Sequence, residues 1–162
     1  MIRCMDSNHA LRQELDRVLS GKGAHAGFDD AVADFPAKLR GVRPEGSPHS
    51  AWELLEHIRI AQWDMLEFSR DSKHQSPKWP EGYWPKEPTP PSADAWDESV
   101  KACKRDLKEM RKLVTGAASD LYTPIAHGDG QTLLREAIQM ADHNAYHVGE
   151  LVLLRRILGI WK

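Results

Sequence analysis

The stretch DHNAYHVGELVLLRRILG, residues 142–159, carries His143 and His147 four positions apart. On a helix that spacing puts both imidazoles on one face, with Cβ atoms about 6 Å apart. Two such rings can converge on one metal ion at about 2.0–2.1 Å per bond. Met140, Leu151, Leu154 and Leu158 share the stripe, so the pair points inward. The competing reading is a pair of core histidines hydrogen-bonded to other helices, since a buried imidazole without a partner is costly. The pattern is not that of a zincin: Asn144, not Glu, follows His143, so the adjacent general base is missing.

A third ligand has to come from another helix. His57 lies between Leu54 and Ile58 on the buried side of the segment that precedes the central loop. Of the other five histidines, His9 falls at a solvated helix start, and His25, His49, His74 and His127 fall in loops and are read as non-ligands. Three inward histidines fit the core of a small helical bundle, where metal sites are commonly built. Glu53 is one turn before His57 and Glu150 one turn after His147. Either can accept the second ring N–H of a ligand, ligate directly or act as a base. Glu53 also reads as the far half of a capping box with Ser50. Cys103 reads as a packed core thiol, with approach to the metal as a thiolate the alternative. Three neutral imidazoles leave room for water or substrate, as catalytic sites do. Zinc, nickel, iron and manganese all stay open, because imidazole selects weakly among them.

Four helical segments must position these groups: about Ser7–Ser20, Ser50–Arg70, Ser92–Val114 and Thr132–Leu158. Their apolar stripes are Leu11, Leu15, Val18 and Leu19; Leu54, Ile58, Ala61, Met65 and Phe68; Trp96, Val100, Cys103, Leu107, Met110 and Val114; and the His143 stripe. Ser7 or Asn8, Ser50 and Ser92 are the expected caps. Between the first two segments, FDDAVADF forms a short turn that stops at Pro36. No segment shows strand alternation, so the expectation is all-α, a four-helix bundle forming one domain over residues 1–162. The second and third helices are joined by residues 71–91, rich in proline. At about 3.1 Å per residue that linker crosses a bundle of roughly 30 Å, so the two helices can run parallel. Trp79, Tyr83 and Trp84 mark it as a packed crossover that covers the bundle or forms a lid over substrate.

Composition bounds the rest. Lys plus Arg is 22 and Asp plus Glu is 24, a net charge of -2, which gives no case for nucleic acid or an anionic membrane. No segment reaches the roughly 18 apolar residues of a membrane span. The opening MIRCMDSNHALRQEL lacks an apolar signal core. Two cysteines without CxxC spacing, Cys4 and Cys103, fit a reducing compartment, and a cytoplasmic location is expected.

SAWELLEHIRIAQWDMLEF and DHNAYHVGELVLLRRILGIW together resemble the DinB-like family of metalloproteins, and the order of elements agrees over nearly the whole chain. The resemblance implies an up-down-down-up bundle holding a divalent metal on three histidines, matched here by His57, His143 and His147. Relatives include thiol-dependent S-transferases and isomerases, which implies a small-molecule substrate and a low-molecular-weight thiol. A metal-dependent hydrolase and a non-catalytic metal-binding or stress-related bundle are the alternatives; a homodimer is compatible with each. Cations that could hold an anionic thiol are not evident: Arg59 points away from His57, and Arg155 and Arg156 are expected in solvent.

Overall fold

The computed structural model describes residues 7–21 and 23–161; Cys4 lies outside them. Five helices occur among these residues: α1 (Ser7–Leu19), α2 (Phe28–Val32), α3 (Ala51–Arg70), α4 (Ala95–Thr115) and α5 (Leu133–Ile157). Single 3-10 turns sit at Ala37–Leu39 and Glu81–Tyr83.

Local chemistry sets the boundaries. The Ser50 hydroxyl accepts from the Glu53 amide while the Glu53 carboxylate accepts from the Ser50 amide, the reciprocal capping box. Thr132 caps α5 through the Arg135 amide. Gly21, at φ +64°, ends α1 in the left-handed conformation that glycine tolerates. Two expected caps are displaced. Ser7 and Asn8 lie inside the first turn of α1, and α4 starts at Ala95, not at Ser92. The reason at α4 is burial: residues 92–94 are exposed, and Ala95 and Trp96 are the first side chains to enter the core.

Side-chain contacts fix the topology. Glu56 pairs with Ser99, and Gln62 with the Cys103 carbonyl further along, so α3 and α4 run parallel. Arg12 bonds the Val114 carbonyl and Asp16 bonds Arg111, so α1 and α4 are antiparallel. Leu54, Leu55 and Ile58 cluster with Val148, Leu151 and Leu154, whereas Ala61, Met65 and Leu66 cluster with Leu133, Ala137 and Met140, so α3 and α5 are antiparallel. The order is therefore up-down-down-up over α1, α3, α4 and α5, with residues 71–94 crossing between the parallel pair.

The core comes in two apolar clusters, which on α5 meet between Met140 and Val148. That interval holds both histidines. α3 is buried on every side from Ala51 to Ile58, more than a one-faced stripe predicts, because the crossover and the α2 region cover it. Val18 departs from its stripe in the other direction and is 52% exposed. α5 also exposes Ile138, Tyr146, Leu153 and Ile157, so part of its apolar character is surface. Among the described residues no helix is long and apolar enough to cross a membrane.

One polar bridge crosses this layer. Gln62, 1% exposed, donates to the Cys103 carbonyl at 2.5 Å and accepts from the Asn144 amide at 2.8 Å. It ties α4, α3 and α5 together beside the histidines. Replacing it with alanine removes the donor to the buried Cys103 carbonyl and the acceptor of the half-buried Asn144 amide, which costs about 1–3 kcal/mol. Gln62→Ala should lower the unfolding free energy by that amount, read from a lower urea midpoint, while far-ultraviolet circular dichroism stays helical; an unchanged midpoint would remove the bridge from the account of stability.

Candidate metal centre

His57 on α3 and His143 and His147 on α5 come together although 86 residues separate His57 from His143. One ring nitrogen from each lies within 4.8 Å of the others. His57 Nε2 and His143 Nε2 are 3.1 Å apart, and the three ring centroids are 4.4–4.8 Å from one another.

Their outer neighbours set the ring protons. His57 donates from Nδ1 to the Tyr83 main-chain carbonyl at 2.9 Å. His147 donates from Nδ1 to Glu150 Oε2 at 2.6 Å. A carbonyl or carboxylate only accepts, so both rings carry their proton on Nδ1 and present a bare Nε2 lone pair. A ligating histidine is held in this way by a carbonyl or carboxylate on its far nitrogen. The 3.1 Å separation also suits a shared ion, since two donors at about 2.05 Å in tetrahedral geometry sit about 3.3 Å apart. Burial, with the neighbouring imidazoles added, depresses His143 and His147 to about 4. Burial lowers His57 too. The cluster is neutral near pH 7, the form that binds metal. The residues present therefore fit a divalent cation.

A cleft of about 440 Å³ opens onto the imidazoles, lined also by Ala61, Asp64, Met65, Trp79, Tyr83, Trp84 and Gln139. Trp84 lies flat on His57 with centroids 3.9 Å apart, and His49 stacks on its other face at 4.0 Å. Tyr83 donates its hydroxyl to Asp64 Oδ2 at 2.6 Å, and His74 Nε2 meets Asp64 Oδ1 at 2.7 Å. Trp79 is 70% exposed at the mouth. All three aromatics of the crossover thus border the cleft.

The two acidic candidates separate. Glu150 engages His147. Glu53 is committed to a two-pronged pair with Arg43 and to the Ser50 cap. Cys103 is a packed thiol in the apolar cluster, and burial pushes its pKa up. Arg59 is held by Glu56, as expected of a cation turned from His57. Arg155, expected in solvent, is instead buried and donates to the carbonyls of Ala31, Ala33 and Ile160. It satisfies the carbonyls left free at the end of the short α2. Asp64, His74 and His49 are the site neighbours that sequence reading missed. Asp64 and His49 take partners from the crossover and His74 belongs to it, where no periodicity reveals them; the only available signal was an acidic residue seven positions after His57, on the same face.

The DinB superfamily profile matches residues 22–151. No curated protein matches the chain, and no solved structure does.

Burial of neutral imidazoles links folding to pH. Their folded values lie below the ordinary 6.5, so between about 4 and 6.5 the unfolded chain binds more protons. Their contribution is present above pH 6.5 and is lost as pH falls toward 4. Glu136 and Glu150, raised by burial, act in the opposite sense. In chelator-stripped protein, His143→Leu should flatten the loss of stability between pH 7 and pH 5, followed by urea unfolding at each pH. An identical slope in the variant and the parent would contradict the assignment of a half-buried neutral His143.

Proposed function

The chain belongs to the DinB superfamily, and from that premise we propose that it is a divalent-metal-dependent enzyme that transfers a low-molecular-weight thiol to or from a small molecule. One observation carries the metal half of this reading: three neutral imidazoles converge beneath an open cleft. His57, His143 and His147 would hold the ion, with zinc, nickel, iron and manganese all compatible with an all-imidazole donor set. A divalent metal bound there supplies Lewis-acid chemistry, lowering the pKa of a thiol or water so that it is nucleophilic near neutral pH.

The chain's own groups do the rest. Tyr83 and Glu150 hold the protons of His57 and His147 away from the cleft. Trp84 covers one face of His57 and keeps water from it. None of Glu53, Glu150 and Asp64 is spent on the imidazole lone pairs, because Glu53 serves Arg43, Glu150 the far nitrogen of His147, and Asp64 the groups of His74 and Tyr83. That supports an open coordination position over a closed structural shell. Cys103 would not supply the thiol, because it is buried and its thiolate disfavoured. The thiol specifically is what the family resemblance suggests.

Elemental analysis of the purified protein should find about one divalent metal per chain, in keeping with one three-histidine site. His147→Ala should lose it and remain helical, because two apolar clusters, not the ion, hold the bundle together. Low-molecular-weight thiols should then raise the melting temperature of the loaded parent but not of His147→Ala. Absence of metal after reloading would end the metal reading. Metal without any thiol response would move the reaction to hydrolysis or to no catalysis.

A further inference from the structure

We propose that Asp64 is a positioning residue of the three-histidine site: by holding His74 and Tyr83 on one carboxylate it closes residues 74–83 into a flap that orients His57. The proposal rests on the metal-site reading above, because orienting His57 matters most when that ring is a ligand.

On α3, His57, Ala61 and Asp64 are spaced i, i+4 and i+7, and all three line the cleft. Asp64 therefore stands about 10 Å beyond His57 on the same face. Asp64 is buried, at 9% exposure for the residue. A buried carboxylate without partners is strongly disfavoured, and the bonds it makes go to the flap. His74 reaches Oδ1 at 2.7 Å and Tyr83 reaches Oδ2 at 2.6 Å. Both hydrogen bonds are to a carboxylate, the stronger kind. Trp63 of α3 meets the His74 ring edge-on at 4.9 Å and backs it from the helix side.

Tyr83 is the point of transmission. Its hydroxyl is fixed on Asp64 and its main-chain carbonyl accepts the His57 proton at 2.9 Å. One residue thus spans two turns of α3, clamped at one end by Asp64 and dictating the His57 tautomer at the other. Burial, reinforced by the Asp64 carboxylate, raises the Tyr83 hydroxyl, so it stays a proton donor. Trp84 follows directly and lies on the His57 ring. Within the flap the chain is packed on itself: the Gly82 amide bonds the Lys78 carbonyl at 2.7 Å, and a Cβ at Gly82 would come within 2.7 Å of Pro77 Cβ. Trp79 sits on this platform against Tyr83, with centroids 5.4 Å apart. A displaced Tyr83 would therefore release the His57 proton acceptor, the ring that covers His57 and one wall of the cleft together.

The test uses Asp64→Ala, Asp64→Asn and Tyr83→Phe in the full chain, first stripped of metal with a chelator. Ring nitrogen chemical shifts of His57 should report a single Nδ1–H tautomer in the parent and a mixture in Asp64→Ala and Tyr83→Phe. Amide exchange over residues 74–83 should quicken at least about tenfold in both. Asp64→Asn keeps an acceptor for Tyr83 and a polar partner for His74, and should restore the parent pattern. Titration with zinc against a competing chelator should then show affinity about 10–100-fold weaker in Asp64→Ala and Tyr83→Phe, the usual effect of losing an outer partner of a ligand. Tyr83→Phe keeps the test informative if Asp64→Ala fails to fold. An unchanged His57 tautomer and unchanged exchange in a folded variant overturn the proposal, even if the parent binds zinc. A parent that binds no zinc, with His57 still responding to Asp64→Ala, overturns the metal reading and leaves the positioning role standing.

Discussion

The fold is organised around the need to gather three imidazoles in one layer and to give the protons of His57 and His147 a defined place. Buried polar groups are tolerated only when they are satisfied. Here the acceptors for two of the rings come from different directions, Glu150 from the same helix and Tyr83 from the crossover. Helix periodicity alone aligns His143 with His147. Bringing His57 opposite them requires α3 and α5 to hold a fixed register, and the Gln62–Asn144 bond, one residue along α5 from His143, supplies a directional contact there. The apolar clusters on either side fill volume and tolerate sliding more readily than a hydrogen bond does.

The long crossover follows from the same constraint. Parallel α3 and α4 oblige the chain to return along the bundle, and residues 71–94 make that return. A return over solvent would need little more than length. This one passes over the imidazole layer and carries Tyr83 and Trp84 to it. It is also tied down further on, where the Ser50 hydroxyl bonds the Pro88 carbonyl and the Thr89 side chain packs against Gly41. A cap residue of the helix that bears His57 is thus one of its anchors.

What was legible in the sequence and what was not divide along the range of the interactions. His143, His147 and the Glu150 contact lie within one helix, and a period of 3.6 residues exposes them. His57 was legible because it sits among Leu54, Ile58 and Ala61 on a stripe. The up-down-down-up order followed from the length of the linker and the family resemblance. Glu53 had two local readings; the capping box was visible, but its engagement with Arg43 depends on a loop that sequence pattern cannot place. Asp64 gave no signal of its own on α3, because the partners that mark it belong to the crossover. His74 and His49 were set aside as loop residues, and both touch groups that line the cleft. Arg155 looked like a terminal cation, yet the carbonyls it bonds lie at the end of α2 and just past it, 122 and 124 residues away.

Whether a metal in such a bundle serves structure or chemistry turns on where the folding free energy comes from. A small domain with a thin core folds because the ion binds. Here Leu55, Ile58, Leu151 and Leu154 on one side, and Leu66, Met110, Val114 and Met140 on the other, are almost wholly removed from water. Each such side chain contributes roughly 1.5–3 kcal/mol on burial, so the bundle has its own driving force. Three imidazoles drawn largely out of solvent work against that force, because burial disfavours their charged forms and leaves polar nitrogens facing one another. A purely structural layer at this position would be better served by aliphatic side chains, much as buried ion pairs can be replaced by hydrophobic ones without loss of stability. The arrangement therefore costs stability at a level of the bundle where a cleft reaches the core. A cost confined to an open pocket is the pattern expected of a site kept for what it binds.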